Sequence, residues 1–227
     1  MLTQADIIRI KNQIADILYA NANIAPARTN TLLPIHSLQG KLYEAHVLAT
    51  VCKKLATEEN FSIKLVGGSN LILKQKGGAI NRQDPYFEIW DGTTLFGELF
   101  TDIYFNTLSY EMKGSPIRQT YGDYHELDIV LLEPNKNGYP KHSDIIIAIE
   151  CKNTSIKKSI IRELLGFRRE LSFYTQMSFP TFFSIWPARQ INSQPNSIHM
   201  LYCSDIRINR FTTNCLQFGI ILQHHKM

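Results

Sequence analysis

The chain has 227 residues, 44% hydrophobic and 11% aromatic, which suffices for one buried core and excludes a disordered or fibrous protein. Its formal charge of +4 is too small to assign a polyanionic partner, so any such assignment rests on where the charges sit. No window carries the ~20 apolar residues of a bilayer span, and the four cysteines form no CxxC pair and are too sparse for a disulfide scaffold.

Thr3 and Asp6 stand at capping-box spacing. Behind them Ile7, Ile10, Ile14, Ile17 and Leu18 follow a period near 3.6, so a helix is expected over about 6–19. Asp6, Arg9, Lys11 and Asp16 interrupt the apolar run that a secretory signal needs, and a soluble, cytoplasmic protein with no membrane partner is expected. Residues 21–36, rich in Asn, Pro and Thr, read as a connection. They divide a leading segment, 1–36, from a compact unit over 37–227. A second helix is expected from 37 or 38 to about 56.

The period then changes to two. Stretches 61–66 and 71–74 flank Gly67-Gly68, and 86–90 and 94–105 flank Asp91-Gly92. Each pair predicts a hairpin, the second with a type I′ turn that needs positive φ at both centres. Two further strands, 124–132 and 144–151, are joined by a loop whose Pro134, Gly138 and Pro140 exclude continued strand. A third helix is expected over about 156–174, with Ile160, Ile161, Leu164, Phe167 and Leu171 inward. Stretches 181–186, 198–203 and 216–222 read as strands. The pattern is one α/β domain with a β-rich insertion in its first half.

The chemistry concentrates in YHELDIVLLEPNKNGYPKHSDIIIAIECKNTSIKKSIIREL. Asp128 interrupts an apolar strand, and Glu150 and Lys152 end the next, on one face by period two. Antiparallel pairing of the two strands would set Asp128 beside Glu150, bringing two carboxylates and an ammonium to the rim of a sheet. Carboxylates in apolar strands are costly unless paired or metal-bound, and such hard donors suit Mg²⁺ or Mn²⁺. A Glu150–Lys152 salt bridge is the plainer alternative.

Asp128, followed by Glu150-Cys151-Lys152 at a strand end and before a helix, resembles the PD-(D/E)XK nuclease superfamily. The resemblance implies a restriction-endonuclease-like fold, an αβββαβ core with a mixed central sheet, here carrying an N-terminal helix and additional β-hairpins. Its first carboxylate lies on the second core strand and its E-x-K pair on the third. Leu127 precedes Asp128 where the superfamily's name has proline. The resemblance further implies a Mg²⁺- or Mn²⁺-dependent endonuclease, in a restriction- or phage-defence-type role and working as a homodimer or within a larger assembly. Asp128 and Glu150 would hold the ion, with the Cys151 carbonyl as a further ligand, and Lys152 would position the attacking water. Many members add a glutamate from the first core helix. Glu44 fits that place, since it shares a stripe with Leu48, Val51 and Leu55; a surface pair with Lys41 is the other reading. Glu126 shares parity with Asp128 and could flank the ion. Glu98 and Asp102, on another β segment, could line the cleft or face solvent.

The following helix carries Lys157, Lys158, Arg162, Arg168 and Arg169. Positive charge beside such a site fits a nucleic-acid backbone, DNA before RNA, although a charge run is also an ordinary solvated face. A catalytically inactive nucleic-acid-binding or assembly module that keeps the fold is the competing expectation.

Overall fold

The computed structural model describes residues 2–32, 39–67, 77–115 and 118–227. Helix α1, Gln4–Ala22, starts at the expected box: Thr3 Oγ1 accepts from the Asp6 amide at 3.2 Å and Asp6 Oδ2 accepts from the Thr3 amide at 3.0 Å. It ends at Asn23, whose φ of +52° closes the helix in the left-handed region. A short helix α2, Pro26–Leu32, occupies part of the stretch read as a connection. Proline stands at its first position, where the missing N–H costs nothing and φ is already set. Helix α3, Gln39–Glu58, buries Leu48, Val51 and Leu55 as the stripe requires.

Among the described residues seven strands form the central sheet. β1, Ser62–Val66, pairs antiparallel with β2, Tyr86–Asp91. The strand expected at 71–74, and with it the hairpin at Gly67-Gly68, lies outside the described residues. β2 turns directly into β3, Thr94–Asn106, with Asp91 paired to Thr94. The turn therefore centres on Gly92-Thr93, one residue later than expected. Only Gly92 carries positive φ, +56°, so the turn is not type I′. A bulge opposite Ile89 and Trp90 absorbs the extra residue Phe96. A helical turn, α4, Leu108–Met112, leads on towards β4, Tyr124–Leu132, and β5, Ile145–Lys152, completes the antiparallel meander.

Helix α5, Lys158–Leu171, then crosses over. It stops three residues short of the expectation because Phe173–Pro180 becomes β6, which pairs with β7, Gln190–Gln194, in a separate two-stranded ribbon. The expected strand at 181–186 is absent. Its amides serve a side chain instead: Ser184, Ile185 and Trp186 donate to the Glu59 carboxylate at 2.8, 2.6 and 2.7 Å. β8, Ile198–Cys203, joins the sheet parallel to β5. A short helix α6, Thr212–Leu216, and the turn at 217–219 take the first part of the last expected strand, and β9, Ile220–His224, adds parallel to β8. The order is β1-β2-β3-β4-β5-β8-β9, an α/β architecture with a mixed sheet.

Helices cover both faces. Leu99, Ile129, Leu131, Ile147, Ile149 and Met200 pack with α1 and α3. Phe100, Val130, Leu132 and Ala148 pack with Leu171 of α5, and Leu201, Cys203 and Leu222 with its Ile161 and Leu164. All four cysteines are free and buried. Among the described residues no helix is long and apolar enough to cross a membrane.

Candidate functional site

Three adjacent strands place three carboxylates in one row. The pairs Thr101–Ile129 and Ile103–Leu127 set Asp102 across from Asp128, and Ile129–Ile149 sets Asp128 across from Glu150 one step further along. Glu44 reaches the row from α3. Glu44, Asp102 and Asp128 each offer an oxygen within 4.8 Å of the others'. An ammonium stands at either end: Lys41 lies 2.5 Å from Glu44 Oε2 and 2.6 Å from Asp102 Oδ1, and Lys152 lies 3.3 Å from Glu150 Oε2. The Cys151 amide donates to Asp128 Oδ2 at 2.7 Å.

The backbone is bent to this purpose at Asp102. Its φ is +54° in the middle of β3, a conformation that aspartate tolerates better than most residues but that still costs about 1–3 kcal/mol. The side-chain phase of the sheet changes there. Leu99 and Ile129 pack on the α1/α3 side, and strict alternation would place Ile103 and Leu127 with them; instead both pack on the α5 side. The carboxylates of Asp102 and Asp128 stand at this break and meet Lys41 and Glu44. Asp102 is 0% exposed, and among the described residues its Oδ2 has no hydrogen-bond partner.

Burial dominates the electrostatics. It pushes the Glu150 carboxyl up to about 8 and Glu44 up to about 7, with the negative charge of Asp128 adding to both. Asp102 rises to about 6 through burial, against the pull of Lys41. Asp128 is raised by burial, opposed by the Cys151 amide, Lys152 and Lys41. Burial alone would lower both lysines, but Asp102 and Glu44 hold Lys41 above its ordinary value and Glu150 and Asp128 do the same for Lys152. Four carboxylates against two ammoniums leave two negative charges when all are ionised. The donor set fits a hard divalent cation.

The residues singled out from sequence are distributed as follows. Glu44 and Asp128 belong to the 4.8 Å group, and Glu150 stands outside it. Glu150, only 8% exposed, and Lys152 line a small crevice with Ile160, Glu163, Leu164 and Phe167 of α5. The Glu150–Lys152 pair of the plainer reading forms, and so does the Lys41–Glu44 pair, but the latter lies largely buried within the cluster and not on the surface. Asp102 proves central, whereas sequence left it between cleft and solvent. It carried the signal that marked Asp128, a carboxylate in an apolar strand, but parity alone gave no account of the phase break. Glu126, paired across from Tyr104, stands near enough to add to the upward shift of Asp102. Glu98 is a structural ion: Arg82 grips both its oxygens at 2.8 and 2.7 Å.

Lys157, Lys158, Arg162 and Arg169 are exposed on or beside α5. Arg168 departs from the expected phosphate contact. It is 4% exposed and donates to the carbonyls of Phe218 at 3.0 Å and Ser197 at 2.9 Å, and to the Ser193 hydroxyl. Its stripe on α5 faces the sheet, so it pins loops to the helix.

No protein-family model, curated protein or solved structure matches the chain.

Proposed function

We propose that the chain is a metal-dependent endonuclease of restriction-endonuclease-like architecture, acting on DNA in a restriction- or phage-defence-type role. The observation that carries this reading is the convergence of Glu44, Asp128, Glu150 and Lys152 from α3, β4 and β5 on one region of the sheet. The order α3, β3-β4-β5, α5, β8, with β8 parallel to β5, supports it as an αβββαβ core. Asp128 and Glu150, aided by Glu44 and the Cys151 carbonyl, are the residues to hold Mg²⁺ or Mn²⁺. A divalent ion there supplies positive charge to a phosphoryl oxygen and lowers the pKa of a bound water.

Lys152 has a separate part. Its neighbours keep it protonated, so it acts as a charged donor that orients water or neutralises developing phosphoryl charge, and not as a base. Lys157, Lys158, Arg162 and Arg169 point outward and suit the DNA backbone. Cutting both strands calls for two sites, hence a homodimer or a larger assembly.

Incubation with plasmid, linear and single-stranded DNA, in Mg²⁺, Mn²⁺ or EDTA, tests the reading. Cleavage that requires the metal is the expected result. DNA binding without cleavage under every condition would favour an inactive binding module, a reading to which the ammonium groups already closing both ends of the row lend some weight.

A further inference from the structure

Lys41 stands where a cation would. Its ammonium bridges Glu44 and Asp102, and Asp128 completes a set of three carboxylates with mutually close oxygens. A structural ion pair does not account for the arrangement. Asp102 is wholly buried, yet Lys41 serves only its Oδ1, and among the described residues Oδ2 has no donor. A buried carboxylate oxygen left without a partner is costly. The fold nevertheless holds this residue in a left-handed conformation within a strand. An ion held among the three carboxylates would serve the atom that Lys41 leaves unserved.

Resting on the nuclease reading above, we infer that Asp102 joins Glu44 and Asp128 among the ligands of the divalent cation, and that Lys41 is its built-in competitor. The ammonium holds the ion's place and leaves it when Mg²⁺ or Mn²⁺ enters. Lys41 is suited to such an exchange. It lies near the start of α3, and its side chain is 17% exposed, so a rotamer change carries the charged end towards water while the stem stays packed. The protein thus keeps its buried carboxylates partly neutralised when no metal is present.

Mn²⁺-soaked crystals give the direct test. Anomalous density bonded to Asp102 and Asp128, with Lys41 Nζ no longer on Asp102, is the expected result. Density between Asp128 and Glu150 with Lys41 still on Asp102 overturns this inference and leaves the metal-dependent reading standing. No density anywhere along the row at saturating Mn²⁺ overturns both.

Mn²⁺ titration followed by electron paramagnetic resonance supplies a second measurement. If the closed arrangement holds more than about nine-tenths of the molecules, Lys41→Met tightens Mn²⁺ binding at least ~10-fold, because apparent affinity scales with the competent fraction. Asp102→Asn keeps the shape and tolerates the positive φ, and it weakens binding by a similar factor. Unchanged or weaker binding by Lys41→Met overturns the competition, and unchanged binding by Asp102→Asn removes that residue from the site. Circular dichroism in EDTA checks folding, and Lys41→Gln, which retains a donor, replaces Lys41→Met if the latter is unfolded.

Discussion

In EDTA, raising the pH from 7 to 8 should destabilise the protein, because buried carboxylates then ionise with no metal ion to offset their charge. Glu150 is held up to about 8 and Glu44 up to about 7, each by burial first and by Asp128 second. In the unfolded chain both are ordinary carboxylates, ionised well below pH 7. The folded state therefore binds more protons than the unfolded state across this window, and stability falls as pH rises. Integrating over the one pH unit gives about 1 kcal/mol from Glu150 and less than half that from Glu44, so ~1–2 kcal/mol together. At 2–4 °C per kcal/mol for a domain of this size, Tm should drop by ~3–6 °C. Other groups pull in both directions. His46, His199 and His225 are lowered by burial and add a little stability as pH rises, whereas the buried thiols are raised and lose a little. Scanning calorimetry at fixed low ionic strength reads the effect, and Glu150→Gln should remove most of it. A wild-type Tm that is level or rising from pH 7 to 8, or an equal fall in Glu150→Gln, would refute the reasoning.

Lys152→Ala should reduce single-turnover cleavage by about 10²-fold or more, by analogy with the loss of a preorganised donor, while DNA affinity measured in parallel changes little. Equal cleavage by variant and wild type would remove Lys152 from the mechanism. Replacing Lys157, Lys158 and Arg162 together by Ala should weaken DNA binding and flatten its dependence on salt, since each lost phosphate contact releases fewer counterions; an unchanged slope identifies a merely solvated face. Arg168→Leu should do the opposite. It strands the Phe218 and Ser197 carbonyls and costs about 3 kcal/mol in chemical denaturation, and the salt slope of any binding that survives stays as in the wild type.

The strands that carry Asp128 and Glu150 were legible because each contains an apolar run, 129–132 and 145–149, with the carboxylate at its edge, and burial on both faces demands such runs. The α1 cap was legible for a local reason, since a capping box lies within four residues. What escaped depended on distant partners. The amides of 184–186 look available for a strand until Glu59, just past the end of α3, claims all three. Arg168 looks like part of a basic face until helical geometry turns its stripe inward beneath Ser193, Ser197 and Phe218. Asp102 was the hardest case. Period-two reasoning assumes an unbroken pleat, and one left-handed residue invalidates the parity of everything beyond it.

The carboxylate row is fixed by strand register alone, which sets different tolerances to insertion and deletion along the chain. The connections at 107–123 and 133–144 join strands whose register is set by their own pairing beside the row, so a change in length at their exposed positions costs mainly loop-closure entropy and leaves Asp102, Asp128 and Glu150 opposite one another. A single residue gained or lost in β4 between Glu126 and Asp128 would instead carry the aspartate one step along the strand and onto the other face of the sheet. Length variation in homologous chains should therefore collect in those two connections and stay out of the few positions around Asp102, Asp128 and Glu150.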